Sequence, residues 1–144
     1  INIDQCSFTN NTTSNYSGGA VNISYYSYSG LTFPITGSAS ITNCSFTGNS
    51  AKNSGGAIYI DAQKNHNNAI SFNTVIQNNT FTGNSTTTLD DPTSGRGRGG
   101  AIYIDTDFPA VVNYNYFSNN TTVSYPKNAL FVSQGYTWGG GATV

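Results

Sequence analysis

No glutamate and no methionine occur among the 144 residues, and there are one tryptophan, one histidine and two cysteines. Charge is scarce: five Lys and Arg face six Asp, for a net charge of −1. These shortages exclude several classes. Five cations cannot build the basic patch of a nucleic-acid binder, so no nucleic-acid partner is expected. With strong helix formers rare and Asn, Gly and β-branched residues common, long helices are not expected. No stretch approaches the ~20 apolar residues of a membrane helix, so no membrane span is expected. Disordered chains are rich in charge and poor in aromatics, whereas ten Tyr and eight Phe are present here, so the chain should fold. It does not begin with Met and shows no signal-peptide pattern, and it reads as a mature or excised segment.

What the sequence does contain is a repeat. An apolar residue is followed by Cys or Asn at +3, Phe at +5 and Asn at +8. The four copies are Ile3/Cys6/Phe8/Asn11, Ile41/Cys44/Phe46/Asn49, Ile76/Asn79/Phe81/Asn84 and Val112/Asn115/Phe117/Asn120, spaced 38, 35 and 36 residues apart. A second element follows each copy: Gly18-Gly19-Ala20-Val21, Gly55-Gly56-Ala57-Ile58, Gly99-Gly100-Ala101-Ile102, and the degenerate Lys127-Asn128-Ala129-Leu130. Each opens a short strand of period-two alternation. A third apolar stretch leads into the next copy, as in Ala39-Ser40-Ile41.

Three short strands and three turns per ~36-residue unit leave no room for a helix. A solenoid explains such strict repetition, because each strand then lies on its counterpart one coil away. The expected fold is all-β, a parallel β-helix, right-handed by the general rule for parallel connections. Coils are expected at about residues 1–38, 39–73, 74–109 and 110–144. Phe8, Phe46, Phe81 and Phe117 should stack in one column, and Cys6, Cys44, Asn79 and Asn115 in another. Val21/Ile23, Ile58/Ile60, Ile102/Ile104 and Leu130/Val132 should point inward. Asn43 and Asn78 should stand at sharp bends that need the left-handed conformation. Residues 85–98 should project as a loop, where function often resides; a tolerated excursion is the plainer reading.

Joined end to end, the chain places Ile3 35 residues beyond Val112, which continues the period. The segment therefore reads as one period of a longer array, covalent or stacked subunit on subunit into a fibre, with copies of itself as partners. A domain cut from a larger solenoid is the plainer alternative.

The Phe-x-x-Asn motif (Phe8-Thr9-Asn10-Asn11, Phe46-Thr47-Gly48-Asn49, Phe81-Thr82-Gly83-Asn84, Phe117-Ser118-Asn119-Asn120) accompanies Gly-Gly-Ala-(Ile/Val) in three units. Together they resemble the repeats of chlamydial polymorphic outer membrane proteins. That resemblance implies a right-handed β-helical passenger domain at the cell surface, acting in adhesion, with no catalytic residues to carry over.

Candidate sites follow from the stacking. The outward positions of the second strand, Tyr59, Tyr103 and Phe131, with Asn22 below them, should form an external aromatic ladder suited to a sugar or a protein face; cover by a neighbouring loop is the competing reading. Nine Asn-x-Ser/Thr sequons (Asn10, Asn11, Asn15, Asn22, Asn43, Asn78, Asn84, Asn119 and Asn120) stand against about five expected by chance. Asn15, Asn84 and Asn119 are the loop candidates among them. Cys6 and Cys44, in consecutive coils, could form a disulfide or remain two buried thiols. Asp61 and Asp105 follow equivalent strands and, with Asp107, could hold Ca²⁺ or act as an acid/base pair; solvated turn residues are the plainer reading. No motif assembles acid, base and substrate-clamping cation. The function expected is therefore structural or adhesive, extracellular or at the cell surface, without cofactor and with glycans as a second partner class. The alternative is a polysaccharide-binding or pectinase-like polysaccharide-degrading β-helix.

Overall fold

A computed structural model describes residues 1–26, 34–64, 70–88, 97–123, 129–134 and 142–143, with side chains through Leu130. Among these the chain forms strands and turns, with no helix. The first coil holds β1 (Asn2–Asp4), β2 (Ser7–Thr9), β3 (Thr12–Thr13) and β4 (Val21–Tyr26). The second holds β5 (Ile35–Thr42), β6 (Ser45–Thr47), β7 (Ser50–Ala51) and β8 (Ile58–Gln63). The third holds β9 (Ile70–Gln77), β10 (Thr80–Thr82), β11 (Ser85–Thr86) and β12 (Ile102–Thr106). The fourth holds β13 (Ala110–Asn113), β14 (Tyr116–Ser118), β15 (Thr121–Thr122) and β16 (Leu130–Gln134), and β17 (Ala142–Thr143) begins a fifth level.

Every strand pairs only with its equivalents in the coils above and below, and always in parallel. Four sheets result. Sheet A runs β1-β5-β9-β13-β17, sheet B β2-β6-β10-β14, sheet C β3-β7-β11-β15 and sheet D β4-β8-β12-β16. The fold is a parallel β-helix. Among the described residues each coil carries four strands, not three. The two-residue strands of sheet C are too short to show a hydrophobic period, so sequence pattern alone misses them.

Corners are made by single residues in the left-handed region. Gln5, Asn43, Asn78 and Tyr114 turn sheet A into sheet B, with φ between 52° and 57°. Asn10, Gly48, Gly83 and Asn119 turn sheet B into sheet C. Asn and Gly adopt this conformation at little cost. Gly18, Gly55 and Gly99 have positive φ ahead of sheet D, and the glycine after each allows close approach between coils. A Cβ on Gly56 would lie 2.0 Å from the Gly100 carbonyl oxygen, which only glycine permits.

Inside, like sits on like. Phe8, Phe46, Phe81 and Phe117 stack with ring centroids 4.9, 4.9 and 5.0 Å apart and interplanar angles of 4°, 6° and 10°. Ile41, Ile58, Ile60, Ile76, Ile102 and Ile104 are fully buried around them. The inward positions of sheet D are buried as expected at Val21 and Ile23 and partly covered at Leu130; the Val132 side chain lies outside the described residues.

The seam between repeats differs from the sequence reading. Thr143 stands opposite Val111, and Asn2 opposite Ser40, in the same sheet. Through Ser40, Val75 and Val111, Thr143 and Asn2 hold equivalent positions of the coil. Ile1-Asn2-Ile3 therefore repeats the strand position that Ala142–Thr143 already fills. The junction does not continue the register as the 35-residue count suggested. The count compared intervals, and only hydrogen-bonded register fixes phase.

Candidate functional site

The chemistry-bearing side chains gather on the outer face of sheet D. Its alternation sends the apolar residues of β4, β8 and β12 inward, so Asn22, Tyr59, Tyr103 and Phe131 share one outward register row. Two residues on, Ser24, Asp61, Asp105 and Ser133 share the next.

Tyr59 and Tyr103 do stack, with centroids 5.2 Å apart and planes within 8°. They are not an open platform. Tyr103 is only 6% exposed and Tyr59 is half-buried. The reading of an exposed ladder is corrected: cover prevails at Tyr103, and the Phe131 side chain lies outside the described residues. Burial and then the Asp105 charge push the Tyr103 hydroxyl up to about 12, with Arg98 pulling the other way. Burial is also the main cause of the raised Tyr59 value, ahead of the nearby Asp61 charge.

Asp61 is 9% exposed. Its Oδ2 accepts from the Tyr59 hydroxyl at 3.1 Å and from the Tyr26 hydroxyl in the coil below. Burial and these Asp61 contacts push the Tyr26 hydroxyl up to about 12. Its Oδ1 is buried with no hydrogen-bond partner. Asp105 occupies the same register position one coil above. Asp107 does not join them. Its Oδ2 accepts the Lys64 backbone N–H at 2.8 Å, from the neighbouring coil. Among the described residues no group of three His, Cys, Asp or Glu is placed to hold a metal. The three-carboxylate site is thus corrected to a pair.

The Asn columns form two ladders that flank sheet B. In one, Asn11, Asn49, Asn84 and Asn120 succeed one another. Each Oδ1 from Asn49 onward accepts both the backbone N–H and Nδ2 of its predecessor at 2.8–3.0 Å. The remaining Nδ2 protons of Asn49, Asn84 and Asn120 reach the Phe8, Phe46 and Phe81 carbonyls. Asn84 is fully buried, so it is corrected from a loop sequon to a core residue, and Asn120 is committed in the same way. Asn11, Asn22 and Asn43 are exposed, but their amides already donate to Asn49, Ser17 and Asp4. Asn10, Asn15, Asn78 and Asn119 are exposed.

Cys6 and Cys44 are free thiols. Cys44 is buried, as expected, but Cys6 is exposed. Their sulfurs are turned to backbone carbonyls, Asp4 at 3.1 Å and Thr42 at 2.9 Å, and burial raises the Cys44 value. At the base of the inserted loop, Thr87 and Thr88 donate to the carbonyls of Ala51 and Lys52, and Gly97 to that of Asn53. Residues 89–96, like His66, lie outside the described residues. Among the described residues Tyr16, Tyr114 and Tyr116 are the strongly exposed tyrosines, at 72%, 82% and 65%.

Residues 43–61 and 78–105 match the Chlamydia polymorphic membrane protein repeat. These two segments are polymorphic membrane protein-like repeats. The two matched segments each contain one Phe-x-x-Asn corner and one Gly-Gly-Ala strand, in coils 2 and 3, where ladder and column are complete. The repeat family is one of surface-associated membrane proteins, which agrees with a cell-surface setting. No curated protein and no solved structure matches the chain. No helix among the described residues is long and apolar enough to cross a membrane.

Proposed function

We propose that these coils form a structural and adhesive wall of a cell-surface β-helix and stack on copies of themselves into a fibre. The observation that carries this reading is the polarity of the Asn ladder. Each rung accepts through Oδ1 on one side and donates through its N–H and Nδ2 toward the next. Coils can therefore add only head to tail, and such heterologous contacts build open filaments. The polymorphic membrane protein repeat supports the surface setting. Adhesion falls to the exposed tyrosines Tyr114 and Tyr116, beside the uncharged Asn78 and Thr80, a face suited to the apolar side of a sugar ring. Asn10, Asn15, Asn78 and Asn119 are the sequons exposed enough to take N-glycans in a host that adds them.

Electron microscopy and sedimentation of the purified chain test the assembly. Filaments whose formation is suppressed by a Pro in the edge strand β2 support end-to-end stacking. A monodisperse monomer at all concentrations removes it. A glycan array read with Tyr114→Ala and Tyr116→Ala tests the adhesive face, and binding unchanged in both variants places adhesion elsewhere.

A further inference from the structure

The sheet A–B corner carries chemistry that neither the fibre nor the adhesive face uses. Cys6 and Cys44 hold the same position of the coil, between Asp4 opposite Thr42 and Ser7 opposite Ser45. In-register parallel pairing sets such residues one strand spacing apart, about 4.8 Å, within the range of Cα separations that a disulfide spans. Side chains at this position reach toward one another between coils. Higher in the same column, Asn79 Nδ2 donates to Asn115 Oδ1 at 3.0 Å. Cys44 is turned toward coil 1 in the same way. Its sulfur accepts the Cys6 N–H at 3.3 Å and lies 3.7 Å from the Ile3 carbonyl oxygen. Burial raises the Cys44 value, the Cys6 N–H lowers it, and the charge and hydrogen bond of the Cys6 thiol add to the rise, so the two thiols are in contact. They differ in access, because Cys6 is exposed and Cys44 is buried.

We propose that Cys6 and Cys44 form a reversible disulfide that clamps coil 1 to coil 2, made and broken by exchange with a small-molecule disulfide such as oxidised glutathione. Exposed Cys6 is the attacking thiol. Its thiolate displaces one glutathione thiolate, and a mixed disulfide forms at Cys6. Cys44 then attacks the Cys6 sulfur and releases the second glutathione. Two protein thiols are oxidised, one glutathione disulfide is reduced, and the two thiol protons end on the two glutathiones. Burial disfavours the Cys44 thiolate, so the second step is the slow one. The product is strained. Disulfide Cβ atoms lie about 3.8 Å apart, less than the strand spacing, so the corner must close by up to about 1 Å. Among the described residues coil 1 is paired on one side only, and it yields more easily than an inner coil. Strained and accessible disulfides are the readily reduced ones, which makes this bond a switch and not a permanent staple. Coils 3 and 4 are joined at the same corner by asparagine amides in either redox state. The inference does not depend on adhesion or on filament formation.

Incubation of the folded 144-residue chain with oxidised glutathione is the direct test. Thiol titration should show both cysteines consumed, and the chain should lose the mass of two hydrogen atoms with no glutathione retained. Chymotryptic peptides carrying Cys6 and Cys44 should run linked until reduced. Cys44→Ser should stop at the glutathione adduct of Cys6, and Cys6→Ser should stay unmodified while folded. Excess reduced glutathione should reopen the wild-type bond without unfolding the chain. Oxidation should raise the wild-type thermal midpoint by about 5 °C, because the bond joins residues 38 apart and constrains the unfolded chain, and should not raise that of Cys44→Ser. A wild-type chain that stays at the Cys6 adduct, links only to a second chain, or closes the bond only in urea overturns the proposal. A bond that reduced glutathione opens only after unfolding overturns the switch. These deciding readouts are made on the unaltered chain, so they stand even where a variant folds poorly.

Discussion

Sheet B is bounded by two ladders that began from the same design and ended differently. The ladder at the sheet B–C corner is asparagine in all four coils, and every rung from Asn11 to Asn120 is linked by paired hydrogen bonds. The ladder at the sheet A–B corner is asparagine only in coils 3 and 4. There Asn79 donates its N–H and Nδ2 to Asn115 Oδ1 at 3.0 Å. In coils 1 and 2 cysteine replaces it. Cys44 still donates its N–H to Asn79 Oδ1 at 2.8 Å, but its sulfur receives the Cys6 N–H at 3.3 Å and bonds to a carbonyl of its own coil. A thiol is a weak donor and acceptor and cannot bridge two rungs at once as an amide does. The Asn corner is therefore a continuous polar spine, and the Cys corner is a spine that stops halfway.

The largest effect should come from breaking the continuous spine in its middle. Asn84→Ala leaves the Asn49 amide and the Phe46 carbonyl without partners in a dry interior, at about 1–3 kcal/mol for each unsatisfied group. A total loss of about 3–4 kcal/mol is expected in urea unfolding. Asn79→Ala, whose lower neighbour offers only a backbone N–H, should cost about 1 kcal/mol less. Equal losses would mean that the two ladders are energetically the same. Completing the broken spine comes next. Cys44→Asn can offer Oδ1 to the Cys6 N–H and Nδ2 to Asn79 Oδ1 and the Ile3 carbonyl, as Asn49 does in its own ladder. A gain of about 1 kcal/mol is expected, and a loss would show that the site is shaped for sulfur. In the unaltered chain, native-state alkylation should label Cys6 and spare Cys44 until the chain unfolds.

The smallest effect concerns Asp4, which caps the Cys corner at its lower end. Hydrogen bonds from Asn43 and then Thr42 hold its carboxyl below the ordinary value of 3.8. A lowered folded value means that the contribution is present above the unfolded pKa and is lost as pH falls through the folded one. Asp4→Asn should therefore slightly lower the thermal midpoint at neutral pH and leave it unchanged in strong acid. An equal shift at every pH would point to packing and not to charge.

Much of the fold was legible in the residues. The fixed offsets among Ile41, Cys44, Phe46 and Asn49 survive because each of these side chains touches its own equivalent one rung away, so a change in one copy is felt by two neighbours. The Phe column and the bends at Asn43 and Asn78 were readable for that reason. The second ladder is readable as a motif but not as a spine, and Gly83-Asn84-Ser85 has the composition of a turn although Asn84 is buried. The buried ladder asparagine and the exposed corner asparagine of a coil are adjacent in sequence, and composition does not separate them. Tyr103 was likewise placed outward correctly. Its burial is a matter of solvent exclusion, with Tyr59 of the next coil stacked on one face, which no local pattern records.

By itself the sequence determined the parallel coil, its approximate period, and which residues lie in common columns, because stacking imposes the same side chain at the same phase. The tertiary structure alone decided the fourth strand of each coil, the phase of the seam at Ala142–Thr143, the burial of Tyr103 and the stranded oxygen of Asp61. Each of these depends on hydrogen-bond register or on solvent exclusion between coils more than thirty residues apart, quantities fixed only when the coils are laid on one another.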